Sequence, residues 1–301
     1  MLEKNNLLSN LYPSFFIIGA QKSGTSTLYK WLRQDKRLVF PKIKETHFFT
    51  SNYNYGIDWY LDLFIKHDIF KVRCEVDPSY IFSKLAIERI LKLNKNAKFI
   101  IVLRSPLERA YSQYLMSVFR GYEKLSFIEA LDLEKKRVLK DDFSYNNFSY
   151  LKRSQYSQQI KYLFNETNNL LFIKFNNLFT KENQIDSIKK IYKFLNLEYF
   201  DNIDFSISSN ISKQYKSKYL TNLLYSDNLI RSIFRRFVPS YISRYKIKLM
   251  LSKLNSKRID NNKDNYSEMI KKLPLKYIDW HNSEVKNTSK LTKLDLEDWI
   301  I

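Results

Sequence analysis

The chain has 301 residues, a formal net charge of +20 and hydrophobic residues at 44% of its positions. That apolar fraction can fill the core of one large α/β domain, which excludes a globally disordered chain. A single cysteine excludes an intrachain disulfide framework, and with only three histidines beside it no metal site is expected. The positive charge would suit a polyanion, but the lysines are scattered along the chain, so the charge alone identifies no partner.

Apolar runs alternate with helical patterns through the first two-thirds of the chain. Strands are predicted at Phe15–Gly19, Arg73–Val76, Phe99–Leu103 and Leu170–Phe175. Helices are predicted over Thr25–Gln34, Lys84–Leu93, Pro106–Phe119 and Gln184–Leu195. Near-continuous apolar strands separated by helices are typical of a parallel sheet that is covered on both faces.

Beyond about Asp201 the pattern changes to Lys-, Asn- and Ser-rich helical stretches without clear strands. The sequence therefore predicts an α/β fold, a P-loop-like parallel sheet flanked by helices, with a mainly helical C-terminal extension. We expect a single domain over residues 1–301, with its core at about 14–200 and the extension at about 201–301. No apolar run has the length of a membrane span and no secretory signal is recognisable, so we expect no transmembrane segment and a cytoplasmic location in a bacterium.

Two of the four glycines fall in the stretch Gly19–Ser26, directly after the first strand and directly before the first helix. In this context backbone N–H groups and a helix N-terminus bind phosphate groups. We expect Thr25, Ser26 and Thr27 to cap the helix and to add hydroxyl donors. Nucleoside triphosphatase loops place a lysine directly after the second glycine, whereas here the lysine lies inside the loop, at Lys22.

The segment Phe16–Tyr29, with the sequence Phe-Ile-Ile-Gly-Ala-Gln-Lys-Ser-Gly-Thr-Ser-Thr-Leu-Tyr, resembles the 5′-phosphosulfate loop of the sulfotransferases that use 3′-phosphoadenosine 5′-phosphosulfate (PAPS). It is similar above all to the heparan sulfate (carbohydrate) branch of that family. The resemblance implies that Lys22 neutralises charge on the phosphate oxygen that leaves. It also implies a set of loop residues that bind the donor: Gln21, Lys22, Ser23, Gly24, Thr25, Ser26 and Thr27.

Three further positions resemble parts of the same donor site. Arg104 directly follows a predicted strand and Ser112 lies two turns into the next helix, as in the family's 3′-phosphate motif. A guanidinium fork and a hydroxyl group both suit a phosphate. Tyr156 falls where the family has a tyrosine that contacts the cofactor. The family's late basic loop has only Lys213 and Lys216 as candidates, in a segment that lacks the usual glycine.

The segment Lys44–Phe49 places two ionisable groups before two aromatic residues, and it resembles the segment that supplies the catalytic base in the heparan sulfate sulfotransferases. A carboxylate partly enclosed by aromatic side chains can have its pKa raised toward neutrality, which suits proton abstraction from a hydroxyl group. Glu45 is therefore the candidate base. His47 stays open as an assistant or a substitute, because the ordinary pKa of histidine is itself near neutral.

The match continues through Glu75–Tyr80 with one departure, since Val76 stands where the family usually has a lysine that helps hold the acceptor. The resemblance covers about residues 14–200. It implies transfer of a sulfuryl group from PAPS to a hydroxyl or amine of an acceptor, leaving adenosine 3′,5′-bisphosphate. We expect the acceptor to be a saccharide or polysaccharide. Neither its identity nor the oligomeric state is fixed by these motifs.

Two other classes of protein remain as alternatives. A P-loop kinase or nucleoside triphosphatase shares the strand–loop–helix geometry, but Gly24 is not followed by a lysine and no second carboxylate for magnesium is evident. A nucleic-acid-binding protein would suit the net charge of +20, but no basic stripe or known module is recognisable, so no nucleic-acid partner is expected.

Overall fold

The computed structural model describes residues 12–64, 71–208, 213–225, 236–238, 240–258 and 262–301. Its strands are β1 (Phe15–Gly19), β2 (Leu38–Val39), β3 (Val72–Val76), β4 (Lys98–Leu103), β5 (Leu170–Lys174), β6 (Lys213–Tyr215) and β7 (Ser256–Arg258). The first five form one sheet in the order β2-β3-β1-β4-β5, and every neighbouring pair is parallel. The predicted α/β fold with a parallel sheet flanked by helices is confirmed.

The helices lie where the apolar periodicity predicts the main ones, with ends that differ by up to three residues. Two predicted helices, Lys84–Leu93 and Pro106–Phe119, have the predicted bounds. In chain order the helices are α1 (Thr25–Leu32), α2 (Gly56–Leu61), α3 (Lys84–Leu93), α4 (Pro106–Phe119), α5 (Phe127–Asp132), α6 (Glu134–Arg137), α7 (Asp142–Phe148), α8 (Tyr156–Glu166), α9 (Phe175–Phe179), α10 (Lys181–Leu195), α11 (Lys218–Tyr225), α12 (Tyr241–Leu254), α13 (Asn262–Lys271) and α14 (Leu275–Thr292).

The chain divides into two compact units. The first unit comprises Met1–Pro106, Gln155–Asn210 and Trp280–Ile301, and the second comprises Leu107–Ser154 and Ile211–Asp279. The five-stranded sheet belongs entirely to the first unit. Within the described residues, no helix is both long enough and apolar enough to cross a membrane.

The central strands of the first unit are apolar along their whole length because both faces of the sheet are covered. All five residues of β1 are buried, and so is every residue of β4 after Lys98. The core continues from β1 into α1 through Leu28 and Trp31 and into α10 through Ile188. This burial fixes where each strand ends, and therefore where the polar residues that follow it are placed.

The last residues of the chain also pack within the first unit. Glu284 of α14 accepts hydrogen bonds from the Ser157 N–H (2.6 Å) and from Ser157 Oγ (3.0 Å) at the start of α8. The Lys174 ammonium at the end of β5 pairs with Asp298. The helical extension predicted from about Asp201 therefore returns to the sheet unit at its end, a long-range feature that the local pattern did not indicate.

The second unit is built around buried ionic groups as well as apolar ones. Arg109 is fully buried, and its guanidinium donates to Tyr150 O, Ser154 Oγ and Gln113 Oε1. The short strands β6 and β7 pair antiparallel in this unit. The expectation of no strands beyond Asp201 is therefore wrong. Three-residue strands without apolar alternation leave no pattern that sequence reading could detect.

Candidate active site

The loop Gln21–Thr27 and Arg104 directly follow the carboxyl ends of two neighbouring strands, and Glu45 is bonded to the end of a third. β1 ends at Gly19, β3 at Val76 and β4 at Leu103, and the three strands are adjacent in the sheet. Because parallel strands end at the same edge, the segments after them converge there. This is the edge at which open α/β sheets bind their ligands.

The loop after β1 depends on its two glycines. A Cβ atom at Gly19 would lie 2.5 Å from Ile81 Cγ2, so only glycine fits against that side chain. Gly24 has a φ of +77°, in the left-handed region, and a Cβ atom there would lie 2.6 Å from the ring of Phe179. Both ends of the loop therefore have no side chain, which lets backbone N–H groups approach an anion closely.

Helix α1 begins directly at this loop, with Gly24 as its N-cap residue. The prediction that Thr25, Ser26 and Thr27 cap the helix is wrong, because the chain needs a left-handed turn at the cap and only Gly24 supplies it without strain. The three hydroxyl residues instead form the first turn, which contains no acidic side chain and receives no side-chain capping bond in the described structure. A helix start of this kind is suited to an anion.

Two polar atoms of the loop support the same reading. Among the described residues, Gln21 Oε1 and Ser23 Oγ are buried without a hydrogen-bond partner. Buried polar groups are normally paired, so atoms of this kind often mark a ligand site. Lys22, between them, has a φ of +72°. The loop therefore offers a glycine cradle, a helix N-terminus, an unsatisfied hydroxyl group and a cation, a donor set that fits a phosphosulfate group.

Arg104 and Tyr156 are brought to the same loop. The Arg104 guanidinium donates a hydrogen bond to the carbonyl of Lys22 (3.2 Å) and lies over the ring of Phe175, 4.8 Å from its centroid. Tyr156 is fully buried, and its hydroxyl group donates to the carbonyl of Arg104 (3.0 Å). Tyr156 thus supports the strand end that carries Arg104. A direct contact of either residue with the donor stays a prediction.

The remaining predicted cofactor residues belong to the second unit. Ser112 lies on α4, and Lys216 follows β6 with its backbone N–H bonded to the Asn255 carbonyl (2.9 Å). Lys213 is the first residue of β6, and its side chain lies outside the described part of the chain. The roles of these three residues in the cofactor site therefore stay predictions.

The loop that carries the candidate base is attached to the end of β3. The N–H of Glu45 donates to the carbonyl of Val76 (3.2 Å). Glu45 and His47 both adopt left-handed conformations, with φ values of 59° and 51°. Between them, Thr46 is fully buried, whereas the side chains of Glu45 and His47 remain 36% and 37% exposed. The two candidate bases therefore flank an inward-pointing threonine and stay partly accessible.

Thr46 is held by Glu75, to which the sequence motifs assigned no role. Glu75 is fully buried in β3 and accepts hydrogen bonds from the hydroxyl groups of Thr46, Tyr60 and Tyr80. Burial, together with the nearby charge of Asp77, raises the pKa of Glu75 to about 7 despite these hydrogen bonds. A glutamate between Cys74 and Val76, in a strand with a buried pattern, was the one signal in the sequence that could have revealed this anchor.

His47 is held by a second buried carboxylate, Asp77. His47 Nδ1 lies 2.7 Å from Asp77 Oδ2, and the same oxygen accepts the backbone N–H of His47 (3.0 Å). Burial lowers the pKa of His47, but the charge and hydrogen bond of Asp77, with smaller contributions from Glu45 and Glu75, raise it to about 9. His47 is therefore a cation at neutral pH.

The surroundings of Glu45 differ from the aromatic enclosure expected from the sequence. Its carboxylate forms an ion pair with the Lys44 ammonium. The rings of Phe48 and Phe49 instead pack on Tyr60, which Phe48 stacks at a centroid distance of 4.4 Å. The two aromatic residues thus hold the loop by packing on Tyr60, whose hydroxyl group is one of the donors to Glu75.

The chain matches known proteins both in sequence and in fold. The family model described as sulfotransferase domain matches residues 12–260. One segment is 37% identical over 109 residues to the membrane-associated sulfotransferase kil1 of Dictyostelium discoideum, covering 35% of this chain and 23% of that protein. Another match, 34% identical over 128 residues, is heparan sulfate glucosamine 3-O-sulfotransferase 3B1 of Mus musculus, with 40% of this chain and 32% of that protein covered. The matches thus span about a quarter to a third of these relatives.

A solved structure of a sulfotransferase from Alicyclobacillus acidocaldarius superposes with a TM-score of 0.65 at 21% identity, covering 96% of this chain and 98% of that one. This likeness confirms the fold. The family that the loop motifs predicted is confirmed by the family model, and heparan sulfate sulfotransferases are among the relatives, as the resemblance implied. The expected cytoplasmic location stays a prediction. The chain belongs to the sulfotransferase domain family.

Proposed function

We propose that the protein transfers a sulfuryl group from PAPS to a hydroxyl or amine of a carbohydrate acceptor. The observation that carries the proposal is the meeting, at one edge of the sheet, of an anion-binding loop, the arginine of the next strand and a loop with a partly exposed glutamate. The relatives named heparan sulfate glucosamine 3-O-sulfotransferases support a saccharide acceptor.

PAPS, when bound, supplies the sulfuryl group and the phosphate that leaves with the adenosine. The residues Gln21–Thr27 would hold its 5′ end through backbone N–H groups, the Ser23 hydroxyl group and the Lys22 ammonium. Arg104 would hold the 3′-phosphate, and Tyr156 would support it through the hydrogen bond to the Arg104 carbonyl. The Lys22 cation offsets negative charge at the loop, a role that preorganised cations play in phosphoryl transfer.

Glu45 is the proposed base, and it accepts the proton of the acceptor hydroxyl or amine group at its carboxylate. Two observations support Glu45 over His47. His47 Nδ1 is engaged by Asp77, and the pKa of His47 is raised to about 9, so that its ring is protonated at neutral pH. A protonated imidazole cannot take a proton. The side chain of Glu45 is 36% exposed, and its carboxyl oxygens can accept a proton.

A thermal unfolding experiment tests the donor. Adenosine 3′,5′-bisphosphate at about 100 times its dissociation constant should stabilise the fold by roughly 2.7 kcal/mol, which raises the melting temperature by several degrees. ATP with magnesium should give no such shift. A shift with ATP and magnesium alone would instead support a kinase or nucleoside triphosphatase.

The base is tested by Glu45→Gln, which keeps the size of the side chain and removes its basicity. We expect turnover with PAPS to fall by roughly 10²–10⁴-fold while the melting shift with bisphosphate is retained. Glu182→Gln, an exposed glutamate in the first turn of α10, is the matched control and should change neither. Near-normal turnover of Glu45→Gln would contradict the assignment.

A further inference from the structure

A buried aspartate of the active-site edge has no part in the reaction as described so far. Asp77 directly follows β3, and its side chain is fully buried. Its Oδ1 accepts the N–H of Ser79 (3.0 Å), and its Oδ2 accepts the N–H and the Nδ1 of His47 (3.0 and 2.7 Å). These partners are all donors, and the imidazole is the one that can carry a full positive charge.

The geometry of the pair indicates an ionic bond. A buried carboxylate that lacks a cationic partner is costly, and a distance of 2.7 Å is typical of a charge-assisted hydrogen bond. Among the described residues, the imidazole is held through Nδ1. Because Nδ1 is engaged by Asp77 and the side chain is 37% exposed, Nε2 is the N–H group that remains for a ligand.

We propose that Asp77 is a positioning residue of the active site, which fixes the His47 imidazole and keeps it as a cation beside Glu45. The positive charge of the imidazole stabilises the negative charge that builds on the reacting oxygen atoms as Glu45 removes the acceptor proton. The inference rests on the proposed function in this one respect, since it gives the cation a part in that reaction. His47 then contributes charge rather than basicity.

The charged groups around the imidazole agree with this assignment. On its own loop, Glu45 faces His47 and is itself paired with Lys44. At the end of β3, Asp77 contacts the ring directly, and the charge of Glu75 also acts on it. These three acidic groups raise the pKa of His47 to about 9 against the effect of burial.

The first experiment follows the imidazole C–H resonances of the free protein by NMR from about pH 5 to about pH 10. The chain has three histidines, and His47→Gln identifies the signal. We expect His47 to titrate near pH 9 in the unmodified chain and at least about two units lower in Asp77→Asn. A midpoint near the ordinary 6.5, or one that Asp77→Asn leaves unchanged, would overturn the proposal.

The second experiment measures kcat and KM against pH. Asp77→Asn should move the basic limb of the kcat profile to lower pH by the same amount as the NMR midpoint, with a smaller change in the KM of the acceptor. Asp58→Asn, an exposed aspartate on α2, is the matched control and should leave both the profile and the NMR midpoint in place. A lower kcat with an unmoved profile would indicate a purely structural role and contradict the proposal.

Two variants at His47 test the role of the positive charge even if Asp77→Asn does not fold. His47→Lys keeps a cation and should retain most of the kcat, whereas the neutral His47→Gln should lose roughly 10²-fold. Equal activities of the two would overturn the role of the charge. The NMR titration needs neither donor nor acceptor, so a raised pKa without a melting shift from adenosine 3′,5′-bisphosphate would count against the proposed function while leaving the ion pair intact.

Discussion

The two halves of the candidate site are built by different means. The donor loop, Gly19–Gly24, is shaped by its backbone: it has two glycines at which a Cβ atom would meet a neighbouring side chain, and a helix start with no side-chain cap among the described contacts. The acceptor loop, Lys44–His47, is shaped by charged side chains. The buried Glu75 holds the inward-pointing Thr46, and the buried Asp77 holds the partly exposed His47. The first construction depends on shape and the second on protonation.

This difference has consequences for how each half responds to a change. Steric substitutions should damage the donor loop at every pH, because glycine conformations do not titrate. The acceptor loop should respond to pH, because the pKa of the buried Glu75 is raised to about 7 and that of the loop residue His47 to about 9. Variants that affect one half and spare the other are therefore the sharpest tests.

The largest effect is expected for Gly24→Ala. The left-handed backbone costs about 1–2 kcal/mol for a residue with a Cβ atom, and the contact of 2.6 Å with Phe179 adds about 1–3 kcal/mol of overpacking. We therefore expect the free energy of unfolding to fall by about 2–5 kcal/mol at both neutral and alkaline pH. Urea unfolding monitored by circular dichroism measures it.

Gly56→Ala is the matched control. Gly56 has a similar φ of +80° and a ψ of 164°, a region that only glycine adopts freely, so its backbone strain is at least as large. A Cβ atom there meets nothing within 4 Å. A greater loss in Gly24→Ala would therefore be due to Phe179, whereas a smaller loss than in Gly56→Ala would show that the ring simply moves aside.

The donor loop is also the half that could be predicted from sequence. Its signals are local: an apolar strand, two glycines and a helical pattern lie within Phe15–Leu32, and the sheet follows from apolar runs of the same kind. The N-cap was predicted one residue too late. Hydroxyl residues are good caps in general, and only the left-handed turn at Gly24 decides between them.

Only part of the acceptor loop could be predicted from the sequence. The motif located Glu45 and His47, but the partners that determine their states come from β3, with Glu75 bonded to Thr46 across 29 positions and Asp77 bonded to His47 across 30. A single sequence does not contain such pairings. For the same reason the return of the C-terminal segment onto the sheet unit, through Glu284 and Ser157, could not be predicted.

The acceptor loop should make stability depend on pH. His47 has a folded pKa raised from 6.5 to about 9, so its contribution is complete below the unfolded pKa and is lost as the pH rises through the folded one. Because 37% of the side chain is exposed, solvent screening reduces the effect, and we expect about 1–2 kcal/mol. Urea unfolding at a series of pH values between about 6 and 10 measures it, because the loss extends from the unfolded pKa of 6.5 to the folded pKa of about 9.

The pH window matters, because Glu75 acts in the same direction at lower pH. Its raised pKa means that stability falls as the pH rises from the unfolded value of 4.5 to about 7, so most of this loss lies below the window of His47, which begins near pH 6.5. His47→Gln should therefore remove the alkaline slope and leave the acidic one. An alkaline slope that persists in His47→Gln would have to come from other groups and would contradict the assignment.

The smallest effect is expected for Arg104→Lys, which tests whether the donor half binds a phosphate by shape or by charge alone. Lysine keeps the charge but cannot donate both to the Lys22 carbonyl and to a phosphate in a fixed fork. We expect affinity for adenosine 3′,5′-bisphosphate to fall about fivefold, close to 1 kcal/mol, in calorimetry at one fixed salt concentration. Arg33→Lys, exposed at the end of α1, should bind as the unmodified chain does. If Arg104→Lys bound the bisphosphate as tightly as the unmodified chain does, a point charge would suffice for the phosphate. The guanidinium would then be needed for its hydrogen bond to the Lys22 carbonyl and not for the ligand.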